Sequence, residues 1–397
     1  MTKESLWTKN FITLIGTNAF LFAGFHCLLP TLPLYAASLG ATGSQIGIVT
    51  GIFGFAAIIV RLFTDTGVRA LGKKKCLYIG LFLSIIATVS YRVFTSIDML
   101  IIARIIHGFG FGLSTTFAAA IVSDVIPDSR RGEGIGYFGL GSTVAMALSP
   151  ALGVMLLSDY SSVALFAFSA IATVLSVLCT KACSAKEIIP ELPTSAMHTS
   201  IKNRIYESGT GIPAILTILF GAAYGSVNTF IAMMAKQAGI ADAGIFFIVG
   251  TIFVFISRPF GGRLFDSKGA FWVILPGAFL FLGALFIIIN ASTLPILLAA
   301  SVLYGLGGGL LLPALLTWML NVVHADRRSS ASATFYNMLD IGTSGGIIIL
   351  GSLAGSVGYI HMYVYVIDAM IAFIAFFILQ HFLKTQKKTY VPDKTND

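Results

Sequence analysis

The chain reads as long apolar blocks separated by short polar breaks. Twelve blocks stand out, at 11–35, 44–63, 76–95, 98–123, 134–157, 162–180, 211–235, 240–263, 270–290, 294–323, 330–357 and 359–383. A bilayer-spanning helix needs ~20 largely apolar residues, whereas a membrane-barrel strand uses ~10. The pattern therefore predicts an all-α polytopic membrane protein with 12 transmembrane helices. Composition agrees: 56% of the residues are hydrophobic, 11% are charged, and mean hydropathy is +0.90. A soluble chain carries roughly 25% charged residues, so this one cannot coat a water-facing surface of its size. The first block is too long for a signal-peptide core and no small-residue cleavage site follows it, so no removable targeting segment is read.

Charge sets the orientation. All of the 25 Lys and Arg except Arg92, Arg104 and Lys236 fall before the first block, between even and odd blocks or in the block ends that border those connections (Arg61, Arg258 and Arg263), or after the last. The opposite connections AASLGATG (36–43) and NAST (290–293) are uncharged. Basic residues collect on the cytoplasmic side, so both termini are expected there, in a cell membrane. The net charge of +8 follows from this bias and needs no nucleic acid. The four cysteines lie in or at the ends of the blocks with no metal-binding spacing, and are read as free.

The two halves repeat. An offset of 197 residues carries Arg61 onto Arg258 and Gly72 onto Gly269. It carries His107, Gly108, Gly110 and Gly112 onto Tyr304, Gly305, Gly307 and Gly309, and Arg130 and Arg131 onto Arg327 and Arg328. One offset matching several loops and a helix implies two six-helix bundles of the same orientation: 1–180, a polar cytoplasmic linker 181–210, and 211–397 with a short cytoplasmic tail. Parallel six-helix repeats are a transporter plan with the site near midplane between the halves.

Several stretches carry a family likeness. RLFTDTGVRALGKKK (61–75) and RPFGGRLFDSKG (258–269) stand between spans 2 and 3 and spans 8 and 9. Span 4 contains RIIHGFGFG (104–112), IPDSRRGEGIGYFG (126–139) follows it, and span 5 contains GSTVAMALSPALG (141–153). Over essentially its whole length the chain resembles the major facilitator superfamily, and in tone its drug and small-molecule efflux branch. AGIFF (243–247) with SRPF also resembles exporters of metal-chelating small molecules. The resemblance implies gating loops built on Asp65, Arg69, Arg130, Arg131, Arg258 and Asp266, with the two aspartates pairing with arginines when the inner side is shut. Two departures are plain. Arg69 stands where aspartate is expected, with Asp65 one turn earlier, and Ser149 precedes Pro150 where glycine is usual.

Candidate chemistry lies inside the spans. Arg104 and His107 share a helix face at spacing three, roughly 9 and 14 Å deep. A lipid-exposed arginine there would cost at least ~2.5 kcal/mol. Either Arg104 is a structural pin on backbone carbonyls of span 1, or it serves proton coupling, as the resemblance implies. Glycines 108, 110 and 112 allow close helix approach. Asp340 shares a face with Tyr336 and Asn337 and can exchange protons as its hydration changes. His26 titrates intrinsically near neutrality. Tyr224 and Asn228, four apart in span 7, are expected to line the opposite wall, and Pro30 and Pro33 to bend span 1. The proton-coupling candidates are thus Asp340, Arg104, His107 and His26. The substrate-binding candidates are Tyr224, Asn228, Tyr336, Asn337 and Arg104.

The expected function is proton-coupled export of a small organic molecule by a monomer in the lipid bilayer, with protons as the second substrate. A proton symporter for uptake is the alternative, and a non-transporting receptor or scaffold is a different class. No HExxH, GxSxG or paired catalytic carboxylates point to an enzyme. No GxxxxGK[ST] points to ATP, and neither metal nor cofactor is expected.

Overall fold

The structure is a computed structural model that describes residues 5–127, 130–184, 205–324 and 327–389. The side chains at 65, 131, 132, 329 and 384–389 are not described. Among the described residues twelve helices are long and apolar enough to cross a membrane. They are α1 (Lys9–Ser38), α2 (Gly43–Arg61), α3 (Lys73–Val93), α4 (Ile97–Val125), α5 (Glu133–Tyr160), α6 (Ser162–Ala182), α7 (Gly211–Gln237), α8 (Ile245–Lys268), α9 (Phe271–Ile289), α10 (Leu294–Asn321), α11 (Ser330–Val357) and α12 (Tyr359–Leu383). An even number of spans brings Lys9 and Leu383 to one face, here called the terminal face.

Local chemistry sets the helix ends. Thr42 and Gln45 form a reciprocal cap at the start of α2, satisfying backbone donors that the first turn leaves free. Ser96 and Ser161 cap α4 and α6 one way only, each side chain accepting from the amide three residues on. Gly72 and Gly269, repeat mates, take positive φ at 83° and 86°. No side chain tolerates that backbone well, so α8 stops at Lys268 and the short helix Thr64–Leu71 stops before α3.

Two expectations change in detail. The eighth span runs from Ile245 to Lys268, shifted from 240–263. Gly239 and Asp242 take positive φ in the preceding turn, and the polar stretch GGRLFDSK stays helical. Span 1 breaks between His26 and Thr31, so its two helices are Lys9–His26 and Thr31–Ser38. Pro33 does not bend it. That proline sits in the first turn of the second helix, where no backbone donor is needed.

Packing repeats with the offset. Helix α4 lies against α2 and α3 as α10 lies against α8 and α9, and α1 lies against α5 and α6 as α7 lies against α11 and α12. A Cβ on Gly108 would overlap the Phe53 carbonyl, and one on Gly305 the Gly250 carbonyl. Likewise Gly110 backs onto Gly80, and Gly307 onto Gly277. In each case both members of the contact are related by the same 197 residues.

The halves meet mainly away from the terminal face. Gly43 and Gly47 of α2 press on Gly355 and Gly351 of α11, and Ser352 donates to Ser44 across the same seam at 3.2 Å. Gly244 of α8 rests on Ala151 and Val154 of α5. Ala36 and Ile46 join the apolar core of the second half. The middle and terminal-face half of α8 carries exposed Phe255, Arg258 and Phe260, and Tyr336 of α11 is 53% exposed. These residues lie beyond the seam contacts, and the space between the bundles on that side is here called the cleft.

Candidate functional site

At the depth where α2 and α11 begin to part, Arg61 and Asp340 form an ion pair across the two halves. Their side chains are 25% and 33% exposed, so the pair is partly wetted. Arg61 is the last residue of α2, and its long side chain reaches the middle of α11. Sequence reading took Arg61 as a basic residue of the 61–75 motif and missed this role. The arginine beside Asp340 comes from α2 and not from α4.

Arg104 and His107 are pulled away from the cleft. Arg104 is 1% exposed. Its Nε donates to the Val49 carbonyl at 3.0 Å and its Nη2 to the Thr50 carbonyl at 3.4 Å. Its guanidinium lies 4.4 Å from the Phe53 ring centre. The carbonyls belong to α2 and not to span 1, because Gly108 lets α2 come within reach. Nη1 has no hydrogen-bond partner among the described residues. His107 is 2% exposed, and its Nδ1 lies 2.9 Å from the Tyr91 hydroxyl on α3. No hydrogen bond or ion pair joins Arg104 or His107 to Asp340 among the described residues.

His26, at the end of the first segment of α1, is 9% exposed. It stacks on Phe22 with ring centres 5.7 Å apart, and Phe25 turns an edge to it. Behind it Phe25 and Phe53 stack at 4.3 Å. The α1 break is backed by α5, since Gly153 sits against the Cys27 carbonyl. Pro150 lies inside α5, and Ser149 before it is buried.

The opposite wall is neutral and aromatic. Tyr224 and Tyr304 stack with ring centres 5.8 Å apart. The Asn228 amide donates to the Tyr304 hydroxyl at 2.7 Å and to the Tyr224 carbonyl at 2.8 Å. Tyr304 was not among the expected site residues. Its signal was available, because it is the repeat mate of His107.

Asn337 parts from its expected neighbours. It is 8% exposed and donates to the Ile205 carbonyl at 3.2 Å, tying down the chain that enters α7. Residues 336 and 337 lie about 100° apart around the helix, so they cannot both face the cleft with Asp340. Glu207 joins this anchor. Its amide donates to Thr334 at 2.8 Å, and its carboxylate meets Arg327 at 2.6 Å.

The remaining residues of the two motifs sit at the terminal face. Arg69 is exposed on the short helix Thr64–Leu71, and Asp266 is exposed near the end of α8. Arg130 is clamped by Glu133, three residues on, at 2.8 Å. The side chains of Asp65 and Arg131 lie outside what the structure describes, as do residues 185–204 of the expected linker. Arg258 lies within α8, not in a loop. A separate apolar groove of about 520 Å³ runs between α1 and α5, past Ile15, Ala23, Val144 and Leu148. No Asp, Glu, Arg, Lys or His lines it, so it suits lipid chains and holds none of this chemistry.

Two repeated helical bundles around a cleft, with an ion pair bridging them, define a membrane carrier. A family model described as Major Facilitator Superfamily matches residues 14–342 and 213–396, and the chain belongs to that superfamily. It is 24% identical over 369 residues to the staphylopine export protein of Staphylococcus aureus, covering 89% of this chain and 91% of that one. It is 22% identical over 370 residues to an uncharacterized MFS-type transporter of Methanocaldococcus jannaschii, covering 90% and 92%. Its fold matches a crystal structure of the nucleoside transporter NupG with a TM-score of 0.78, at 16% identity over 93% of this chain and 99% of that one. The protein is a multi-pass membrane transporter and not an enzyme.

Proposed function

We propose that this transporter exports a small organic molecule in exchange for protons, at a cell membrane, with both termini cytoplasmic. The observation that carries the reading is the Arg61–Asp340 pair, an ionisable contact that bridges the two moving halves inside the cleft. Its parts are a carboxylate that can accept a proton and a cation that stays charged. Protonating Asp340 removes the charge that holds Arg61, and so biases the α2–α11 contact. A partly wetted pair contributes about 1 kcal/mol or somewhat more, which suffices to tilt two states only a few kcal/mol apart.

The cycle then runs by alternating access. With the far seam shut and the cleft open to the cytoplasm, Asp340 is charged and paired, and cargo enters against Tyr224, Asn228 and Tyr336. Rocking opens the far side, where cargo leaves and a proton is taken up at Asp340. The exposed Asp266 and Arg69 are the terminal-face gate in its unlatched state. Arg104, His107 and His26 act at one remove, by holding α4, α2 and α1 in register around the site. The export direction is supported by the likeness to the staphylopine export protein along nine-tenths of the chain.

The test is counterflow and pH-dye quenching in proteoliposomes holding the purified chain. Export predicts that an opposing proton gradient accumulates cargo on the cytoplasmic-face-out exterior's far side, and that Asp340→Asn keeps counterflow while losing gradient drive. Accumulation along the proton gradient would establish uptake instead. Unchanged gradient drive in Asp340→Asn removes the proposed proton site.

A further inference from the structure

The transport reading leaves the cargo's charge open, and the pseudo-symmetry of the site bears on it. Arg61 on α2 and Arg258 on α8 are repeat mates. Helix α2 faces α11 across the molecule as α8 faces α5. The same offset carries Asp340, the partner of Arg61, back onto Thr143 of α5. The Thr143 hydroxyl donates within its own helix, to the Gly139 carbonyl at 2.9 Å. One crossing thus holds an arginine and its acid, and at the other the repeat position of that acid is a neutral threonine.

The position of Arg258 makes this gap useful. Gly244 of α8 touches α5 at Ala151 and Val154. Arg258 is fourteen residues further along, within about 40° of the same helix face and ~21 Å away. There α8 and α5 have separated, and the side chain is exposed. Its charge acts on Tyr224 of α7 and Tyr336 of α11, so it lies on the side of α8 near those two helices. No acidic residue pairs with it among the described residues. It also lies ten residues short of Lys268, roughly 15 Å from the helix end, deeper than a charge that merely sets topology needs to be.

A guanidinium at that depth is hydrated only while the cleft is open. Its planar fork matches a carboxylate with two parallel hydrogen bonds. We propose that Arg258 is the receptor for an anionic group on the cargo, so that the transported solute is an organic anion. Its carboxylate takes the place that Asp340 fills at the other crossing. A flat apolar part lies against the half-exposed Tyr336 ring. Export of the anion then moves Arg258 between a cargo-paired and a hydrated state, while Arg61 and Asp340 handle the proton.

The proposal rests on the transport reading but is tested by binding alone, without any gradient. Fluorescein and rhodamine 123 share a xanthene skeleton and carry opposite charge. Their binding to the full chain in lipid nanodiscs is read by fluorescence polarisation at pH 8. Fluorescein is expected to bind at least tenfold tighter than rhodamine 123. Arg258→Gln lowers fluorescein affinity at least tenfold and leaves rhodamine 123 unchanged, and Arg258→Lys keeps part of the preference. Thr143→Asp reproduces the loss by giving Arg258 an internal acid, and it guards against a folding defect specific to position 258. Equal or tighter binding of the cation, a preference that survives Arg258→Gln, or binding of neither dye by the folded protein overturns the proposal. Failure of proton-driven export with the anion preference intact would strike only the coupling mechanism.

Discussion

The two halves solve one packing problem with different chemistry. In the first, Arg104 of α4 donates to the Val49 carbonyl of α2. In the second, Ser301 of α10 donates to the Phe246 carbonyl of α8 at 2.5 Å. Ser301 and Phe246 are the repeat mates of Arg104 and Val49. One turn on, His107 meets Tyr91, while its mate Tyr304 meets Asn228 and Tyr224. What is held in common is a side-chain donor on a glycine-bearing helix, aimed at one carbonyl of a neighbour. Charge is therefore an addition to this joint and not its requirement. Buried groups such as Arg104, His107, Ser301 and Tyr304 fasten the bundles from within, whereas the charged pair proposed to change during a cycle lies at the crossing between bundles.

That contrast can be broken or sharpened by substitution. The largest effect is expected at the inter-bundle pair. Asp340→Asn should lower gradient-driven transport by roughly tenfold or more, equivalent to ~1.4 kcal/mol of lost coupling, with little change in thermal unfolding. A large fall in unfolding temperature would instead make the pair structural. On stability, as distinct from transport, the glycines of the two joints come first. Gly108→Ala and Gly305→Ala each force a Cβ into a neighbouring carbonyl and should each cost about 1–3 kcal/mol. Equal losses in both halves support a common joint, and a loss in one half alone removes the symmetry. Smaller still is Arg104→Lys, which keeps the charge but loses the fork and the flat contact with Phe53, at about 1 kcal/mol. If it abolished coupled flux without altering stability, the charge at 104 would belong to the cycle after all. The smallest is Ser301→Ala, at ~0.6 kcal/mol for a hydrogen bond between membrane helices, read as a slight shift in unfolding temperature.

Much of the architecture was legible because it depends on period and composition. Twelve apolar blocks gave twelve spans, and the offset that aligned Arg61 with Arg258 also aligned helix contacts. The site was less legible. Arg61 and Asp340 are separated by 279 residues, and nothing local says that an arginine at one helix end reaches the middle of another. Arg104 looked like a cleft residue because depth and spacing say how far into the membrane a group sits, not which neighbour it faces. Asn337 was placed on the Asp340 face by its spacing of three, yet the 60° between them was enough for Ile205 to claim it. The break in α1 was expected at its prolines and lies just before Pro30, where the residues ahead of a proline lose their helical freedom.

The hydroxyls of Ser44 and Ser352, 3.2 Å apart at the rim of the far seam, offer a reporter of the working cycle. Among the native cysteines, Cys27, Cys76 and Cys183 are buried and Cys179 is half-covered. Oxidative cross-linking of a Ser44→Cys, Ser352→Cys variant would therefore staple that rim without first stripping native thiols. A stapled carrier that still admits cargo from one side, but releases none on the other until a reductant is added, would time the opening of each door separately.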